Sequence, residues 1–194
     1  MNFAPDSSSS LIARVQRRDS DAWDQLARLY EPTVYSWARK CGLQDQDAAD
    51  VTQEVFASVS RRIADFRHSK PGSTFRGWLW TITRNAVRLF YRQQERRPVA
   101  TGGTDALDRW QQIPAVLDQE SLPDAQNTQS VLVRRALELI RDECDLRTWQ
   151  AFQRLAVDEV PVKEIADELG MSSGAVRQAK YRVLCRLREM LDGE

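Results

Sequence analysis

The sequence predicts an all-α protein made of two small helical domains that are joined by a flexible linker. Apolar residues recur at the three- and four-residue spacing of amphipathic helices, whereas strand-type alternation is hard to find. Glycine and proline are scarce, with 8 and 7 among 194 residues, so long helices meet few interruptions. The hydrophobic fraction of 42% is sufficient for a packed core.

Three apolar stripes predict an N-terminal helical bundle. The first stripe covers residues 23–41, and Pro32 is expected to kink or break that helix. The second covers residues 48–66, with acidic side chains in the first turns, where the helix dipole favours them. The third covers residues 75–90 and follows a Ser-Thr pair at 73–74 that supplies the N-cap. We expect the three stripes to bury one another.

The helical pattern stops after residue 97, which sets the predicted domain boundaries. Residues 98–128 contain three prolines and two glycines, and we interpret them as a linker with a short helical turn around residues 107–110. The stretch 95–128 has three Arg and six Asp or Glu, hence a net charge of −3. Residues 1–97 and 129–194 are then the two domains.

The C-terminal domain contains the pattern of a helix-turn-helix. Pro161 suits the start of a short helix over residues 162–169, Gly170 ends it, and Ser172 caps a long helix over residues 173–191. From Ser172 onward to residue 188 there are five Lys or Arg and no acid, as expected of a helix that enters the major groove. An ordinary helical hairpin with a solvated basic face is the alternative.

A second basic face is predicted on the third helix of the N-terminal domain. No Asp or Glu occurs between residues 74 and 94. An exposed tryptophan among arginines favours binding of a single nucleic-acid strand, because the rings stack on bases while the arginines meet phosphates. The alternative is that the tryptophan packs against another helix. The residues of this face are Arg76, Trp80, Arg84, Arg88 and Tyr91.

The helix before it carries an acidic face instead. Asp47, Asp50, Gln53 and Glu54 lie close together on its polar side. Such a face binds DNA poorly but suits a basic protein surface. The alternative is the solvated start of an ordinary helix.

In combination, these segments resemble the extracytoplasmic-function (ECF) sigma factors of the sigma-70 family. The segments that carry the resemblance are DVTQEVF at 50–56, TFRGWLWTITRN at 74–85 and VKEIADELGMSSGAVR at 162–177. The resemblance covers nearly the whole chain outside the linker and the extreme N-terminus. It implies an initiation factor that binds core RNA polymerase, recognises promoter DNA and promotes strand opening.

The resemblance also implies residue roles. Asp50, Gln53 and Glu54 would dock on the polymerase clamp helices, and the loop over residues 66–73 would hold a flipped base of the melted non-template strand. The residues implied at the minus-ten element are Phe66, Arg76, Trp80, Arg84, Asn85 and Arg88. Those implied at the duplex minus-thirty-five element are Ser173, Arg177, Gln178, Tyr181, Arg182 and Arg186.

Two positions depart from the family pattern. The 66–73 loop is longer than in many relatives, so its base preference does not transfer. Ala179 stands where many relatives have a polar or basic residue, which predicts a different minus-thirty-five specificity.

Two other classes of protein compete with this interpretation. A helix-turn-helix repressor or activator with a ligand-sensing bundle would be a dimer on palindromic half-sites. A nucleic-acid enzyme would need a general base or metal ligands gathered in one pocket, but His68 is the single histidine and the three cysteines lack zinc-ligand spacing. We therefore expect no catalytic residue, cofactor or metal.

The remaining expectations concern location and control. No apolar run approaches the length of a membrane span and no signal peptide is evident at the start, so we expect a cytoplasmic protein without membrane insertion. Whether an anti-sigma factor holds the protein inactive is left open.

Overall fold

A computed structural model describes residues 10–67, 74–95 and 125–191, and all regular secondary structure among them is helical. The predicted all-α class is therefore confirmed. The predicted helical turn at 107–110 and linker residues 98–124 lie outside the described residues, whereas 125–128 form the first turn of a helix. The helices are α1 (Leu11–Gln16), α2 (Ser20–Lys40), α3 (Asp45–Arg62), α4 (Phe75–Glu95), α5 (Ala125–Glu143), α6 (Leu146–Ala156), α7 (Val162–Leu169) and α8 (Ser173–Leu191), with a 3-10 turn at Ile63–Asp65.

The chain divides into two compact units within α5. Among the described residues, the N-terminal unit contains 15–67, 74–95 and 125–132, and the C-terminal unit contains 133–191 together with 10–14. Helices α2, α3 and α4 pack on one another in the first unit, and α6, α7 and α8 do so in the second. Each unit therefore has its own set of packed helices.

Helix α2 begins after the N-cap residue Asp19 and continues through Pro32. The Asp19 carboxylate accepts a hydrogen bond from the Ala22 amide at 3.1 Å, which satisfies one of the free amides at the helix start. The helix then runs unbroken from Ser20 to Lys40 with Pro32 inside it, so the predicted break does not occur.

Aromatic side chains fill much of the core of the N-terminal unit. Tyr30 and Phe75 pack edge to face with ring centroids 5.1 Å apart, and Phe66 packs on Phe75 at 5.5 Å. On α2, Trp37 makes a similar contact with Trp80 of α4 at 5.4 Å. These contacts fix the rotation of α4 and so decide which of its side chains reach solvent.

The C-terminal unit closes around a small aliphatic core supplied by α6, α7 and α8. Its fully buried members are Ala151, Ile165, Ala166, Val176 and Ala179. Alanine at three of these positions lets the helices approach closely. Helix α6 begins with Asp145 as N-cap, whose carboxylate accepts a hydrogen bond from the Thr148 amide at 2.9 Å.

Candidate nucleic-acid interface

The predicted helix-turn-helix is present, with the predicted bounds. Helix α7 ends at Gly170, which adopts a left-handed conformation with φ of 60°. The Met171 amide donates to the carbonyl of Ala166 at 2.9 Å and completes the turn. The Ser172 hydroxyl then accepts from the Ala175 amide at 3.1 Å and caps α8. The turn is thus fixed by local hydrogen bonds.

Helix α8 presents a basic face to solvent. Val176, Ala179 and Val183 point into the core, and the exposed side chains between them are Arg177, Gln178, Tyr181 and Arg182, with Tyr181 61% exposed. Ser173 is half-buried at the helix start. Ala179 is only 2% exposed and belongs to the core of this unit, and the different minus-thirty-five specificity stays a prediction.

Arg186 is not part of that exposed face, contrary to the sequence prediction. Its guanidinium lies 3.3 Å from the carboxylate of Glu143 and 3.3 Å from that of Glu189, and its side chain is 15% exposed. The continuing turn of α8 carries this position back toward α5, where the acidic partners hold it. Arg186 therefore links α5 to α8 within the C-terminal unit.

The predicted single-strand face of α4 is wrong in its rotation. Trp80 is 2% exposed and Arg76 is 8% exposed, so neither is presented to solvent. The reason is that α4 packs against both α2 and α3 and buries an arc wider than one apolar stripe. Residues that are neighbours in sequence are buried together on this arc. Its buried residues are Phe75, Arg76, Leu79, Trp80, Ile82, Thr83 and Val87.

The exposed face of α4 lies elsewhere on the helix. Asn85 is exposed, and Leu89, which lies within the predicted apolar stripe over residues 75–90, is 50% exposed. The other side chains of this face are Thr81, Arg92 and Gln93. Spacing placed Leu89 in the core, and no pattern in the sequence distinguished it from the buried apolar residues.

Two arginines and one tyrosine of the predicted face, Arg84, Arg88 and Tyr91, flank the exposed face of α4. Arg84 and Arg88 are half-buried, and Arg84 Nε is buried without a hydrogen-bond partner among the described residues. Tyr91 donates its hydroxyl to the carbonyl of Cys41 at 2.8 Å, so it supports the bundle. Burial raises the pKa of Tyr91 to about 12.

Phe66 marks where the described part of the 66–73 loop begins. The ring is 5% exposed and contacts both Phe75 and Trp78, the latter at a centroid distance of 5.2 Å. The Gln16 side-chain amide donates to the carbonyls of Ile63 at 3.0 Å and Phe66 at 2.9 Å. These contacts anchor the start of the loop, while residues 68–73 lie outside the described residues.

The acidic face of α3 is accessible. Asp50, Gln53 and Glu54 are all exposed, whereas Asp47 is half-buried. Glu54 lies 4.0 Å from Arg61, and since both side chains are more than 60% exposed, solvent screens this ion pair strongly. The three predicted docking side chains therefore share one solvent-facing surface.

Two other kinds of feature, a metal-ion site and a membrane-spanning helix, are absent from the described residues. Within 10–67, 74–95 and 125–191, no group of three or more His, Cys, Asp or Glu is arranged to hold a metal ion. Over those ranges, too, none of the helices combines the length and apolar character needed to cross a membrane.

Comparisons with known proteins show what the chain is similar to. Residues 26–97 match the family described as Sigma-70 region 2. The chain is 31% identical over 182 residues to the ECF RNA polymerase sigma factor BldN of Streptomyces coelicolor, an alignment that covers 93% of this chain and 64% of that protein. It is 25% identical over 189 residues to the RNA polymerase sigma factor CnrH of Cupriavidus metallidurans, with 97% of this chain and 96% of that protein covered.

A further relative and a solved structure were also compared with the chain. The ECF RNA polymerase sigma factor SigE of Mycolicibacterium smegmatis is 29% identical over 173 residues, covering 88% of this chain and 62% of that protein. The chain thus spans a little under two thirds of BldN and of SigE. The structure of the RsbN–BldN complex contains a chain that is 22% identical, with a TM-score of 0.36 and coverage of 91% and 96% of the two chains.

Residues 26–97 are thus similar to Sigma-70 region 2, and most of the chain is similar to ECF RNA polymerase sigma factors, in line with the resemblance.

Proposed function

We propose that this protein is an RNA polymerase sigma factor that binds core polymerase, recognises promoter DNA and promotes strand opening. The observation that carries the proposal is the helix-turn-helix with Arg177, Gln178 and Arg182 exposed on one side of α8. From its start to residue 188 this helix carries basic side chains and no acid, which suits a DNA major groove. The protein acts through binding, without a catalytic step of its own, in the cytoplasm where core polymerase works.

The domains divide this work. Residues 1–97 dock on polymerase and capture the melted minus-ten strand, residues 129–194 read the minus-thirty-five duplex, and residues 98–128 link them. Docking rests on the exposed acidic face of Asp50, Gln53 and Glu54. Acidic side chains across from a basic partner surface raise both the rate and the selectivity of association.

On α4 the exposed residues are the ones able to contact melted DNA without unfolding. Asn85 can hydrogen-bond a base edge, and the apolar side chain of Leu89 one turn later can lie against a base. Arg92 adds a positive charge for phosphate. The half-buried Arg84 and Arg88 flank this face. Trp80 supports the helix from inside the core.

Transcription is the direct test. Core polymerase from the host is supplied with the protein and a genomic library, and the start sites are mapped. We expect initiation at sites that share two elements upstream of the start. If core polymerase initiates at the same sites with and without the protein, the proposal is wrong.

Docking is tested by reversing the charge of the acidic face. In Asp50→Lys/Glu54→Lys, we expect affinity for core polymerase to fall at least tenfold, since like charges across an interface cost several kcal/mol. The matched control is Asp24→Lys/Glu31→Lys, which makes the same charge change at two exposed positions of α2. Equal affinities of the two double variants for core polymerase would contradict the assignment.

A further inference from the structure

One arginine of α6 reaches across to the turn of the helix-turn-helix. Arg147 donates through one terminal nitrogen to the carbonyls of Leu169 and Gly170, the latter at 2.9 Å. These two carbonyls end α7 and have no partner within that helix. The contact spans 22 residues of sequence and joins the first turn of α6 to the turn that leads into α8.

The location of Arg147 is unusual for its own helix. A cation in the first turn of α6 faces the positive end of that helix dipole, which is mildly unfavourable. The same guanidinium lies at the negative end of α7, where the interaction is favourable. The positive charge of Arg147 is therefore stabilised by the C-terminal end of α7 and not by α6, the helix to which Arg147 belongs.

Gly170 in this turn has a left-handed backbone and packs directly against the Arg147 guanidinium. Gly170 has φ of 60°, and a Cβ atom built on it would lie 3.4 Å from the Arg147 guanidinium nitrogen. The guanidinium thus fits against a bare backbone. Helix α8 begins at Ser173, three residues later, so the direction in which it leaves the turn depends on this geometry.

We infer that Arg147 is a positioning residue for DNA recognition, which fixes the angle at which α8 presents Arg177 and Arg182 to the major groove. The inference rests on the proposed duplex-reading role of α8. Arg147 is exposed and needs no contact with DNA itself, because its effect passes through the turn. Its loss opens no cavity and leaves the buried cluster of α6, α7 and α8 in place.

The test compares two duplexes in the complete complex of full-length protein with core polymerase. One is a duplex of about 60 base pairs that carries a promoter from the start-site map, and the other has its upstream element randomised. The ratio of the two affinities measures specificity, since a change in overall charge affects both duplexes alike. For Arg147→Ala we expect this ratio to fall about tenfold, the size of one base-reading contact.

Two further variants separate positioning from stability and from charge. Arg147→Lys keeps the charge and a donor, so it should retain part of the specificity. Arg154→Ala is the matched control: Arg154 also joins α6 to α7, but through an ion pair of 2.7 Å with the Glu168 side chain, away from the turn. We expect it to keep the wild-type ratio. Thermal melts establish that each variant is folded at the assay temperature.

Several outcomes overturn the inference. Equal weakening of both duplexes in Arg147→Ala would mean that only its charge matters. A ratio lowered as much in Arg154→Ala as in Arg147→Ala would indicate general loosening of the unit. If the wild-type protein itself prefers neither duplex, the proposed function fails as well. A wild-type preference that Arg147→Ala leaves unchanged would overturn only the inference about Arg147.

Discussion

At the scale of single residues, Trp80 shows how one side chain changes the interpretation of a helix. Its ring packs on Trp37 in the core, so we expect Trp80→Ala to lower the free energy of unfolding by about 3–5 kcal/mol. Trp80 Nε1 is buried without a partner among the described residues, and Trp80→Phe loses no hydrogen bond there and should cost less. Chemical denaturation measures both values.

The same variants distinguish a core role from a DNA-stacking role. If Trp80 has a core role, Trp80→Ala should reduce transcription equally on duplex and pre-melted templates. Rescue by a pre-melted bubble, together with an unchanged melting temperature, would restore the stacking role that the sequence suggested.

Two ionisable groups of the N-terminal unit predict its behaviour at high pH. Burial raises the pKa of Cys41 from 9.0 to about 11 and that of Tyr91 from 10.0 to about 12. Both groups are neutral when folded but ionise earlier when unfolded, so their contribution to stability is full below about pH 9 and is lost as pH rises to about 12. We expect the unfolding midpoint in urea to fall over this range.

Tyr91→Phe separates the two roles of the phenol. It removes the hydrogen bond to Cys41 and should cost about 1 kcal/mol at neutral pH. Between pH 10 and 12 its stability should fall less steeply than that of the wild-type protein, because one ionising group is gone. Parallel curves for the two proteins would show that Tyr91 does not titrate differently on folding.

At the scale of elements, local signals predicted helix ends well. The bounds of α7, the glycine that ends it and the serine that caps α8 were all predicted from residue types, because capping depends on a few neighbouring groups. Pro32 was the exception. Alone it favours a break, but α2 runs on through it and packs against α3 and α4.

Helix rotation was the property that sequence could not supply. Spacing defines a stripe but not the width of the arc that neighbours cover, and α4 buries Arg76 and Trp80 while it exposes Leu89. The same limit applies to Arg186, whose acidic partners come from α5 and from the next turn of its own helix. The Arg147 contact joins residues 22 positions apart and left no periodic signal.

Two glycines near the turn give opposite predictions. Gly170→Ala should destabilise the protein by about 1–2 kcal/mol, because a side chain is strained at φ of 60°. Gly174 lies exposed inside α8, where an added Cβ meets nothing closer than 3.8 Å, and Gly174→Ala should stabilise by about 0.5–1 kcal/mol. Thermal unfolding of both variants measures these changes. A loss of stability in Gly174→Ala would contradict the helical assignment there.

At the scale of the whole molecule, the two proposed binding surfaces belong to different compact units. The acidic face of α3 lies in the N-terminal unit and the basic face of α8 in the C-terminal unit. Each unit is held by packing among its own helices. Because the two faces belong to different units, we expect a charge change on one face to leave the binding by the other unaltered.

This separation predicts additive effects in a double-mutant cycle. Asp50→Lys should weaken affinity for core polymerase, and Arg177→Ala should lower preference for the promoter duplex by about 1–3 kcal/mol when it loses a base contact. In the double variant, polymerase affinity should equal that of Asp50→Lys alone. Its duplex preference, measured at saturating polymerase, should equal that of Arg177→Ala alone, within about 0.5 kcal/mol.

Salt dependence identifies what each arginine of α8 does in that complex. If Arg177 reads a base, Arg177→Ala changes preference at one position of the upstream element. If Arg182 holds a phosphate, Arg182→Ala weakens all duplexes alike and reduces the salt slope by about one unit. We expect this division, because Arg177 lies nearer the start of α8, the part of a recognition helix that enters the groove. Unchanged promoter affinity in both variants would exclude α8 as the recognition helix and leave the polymerase-docking prediction standing on its own.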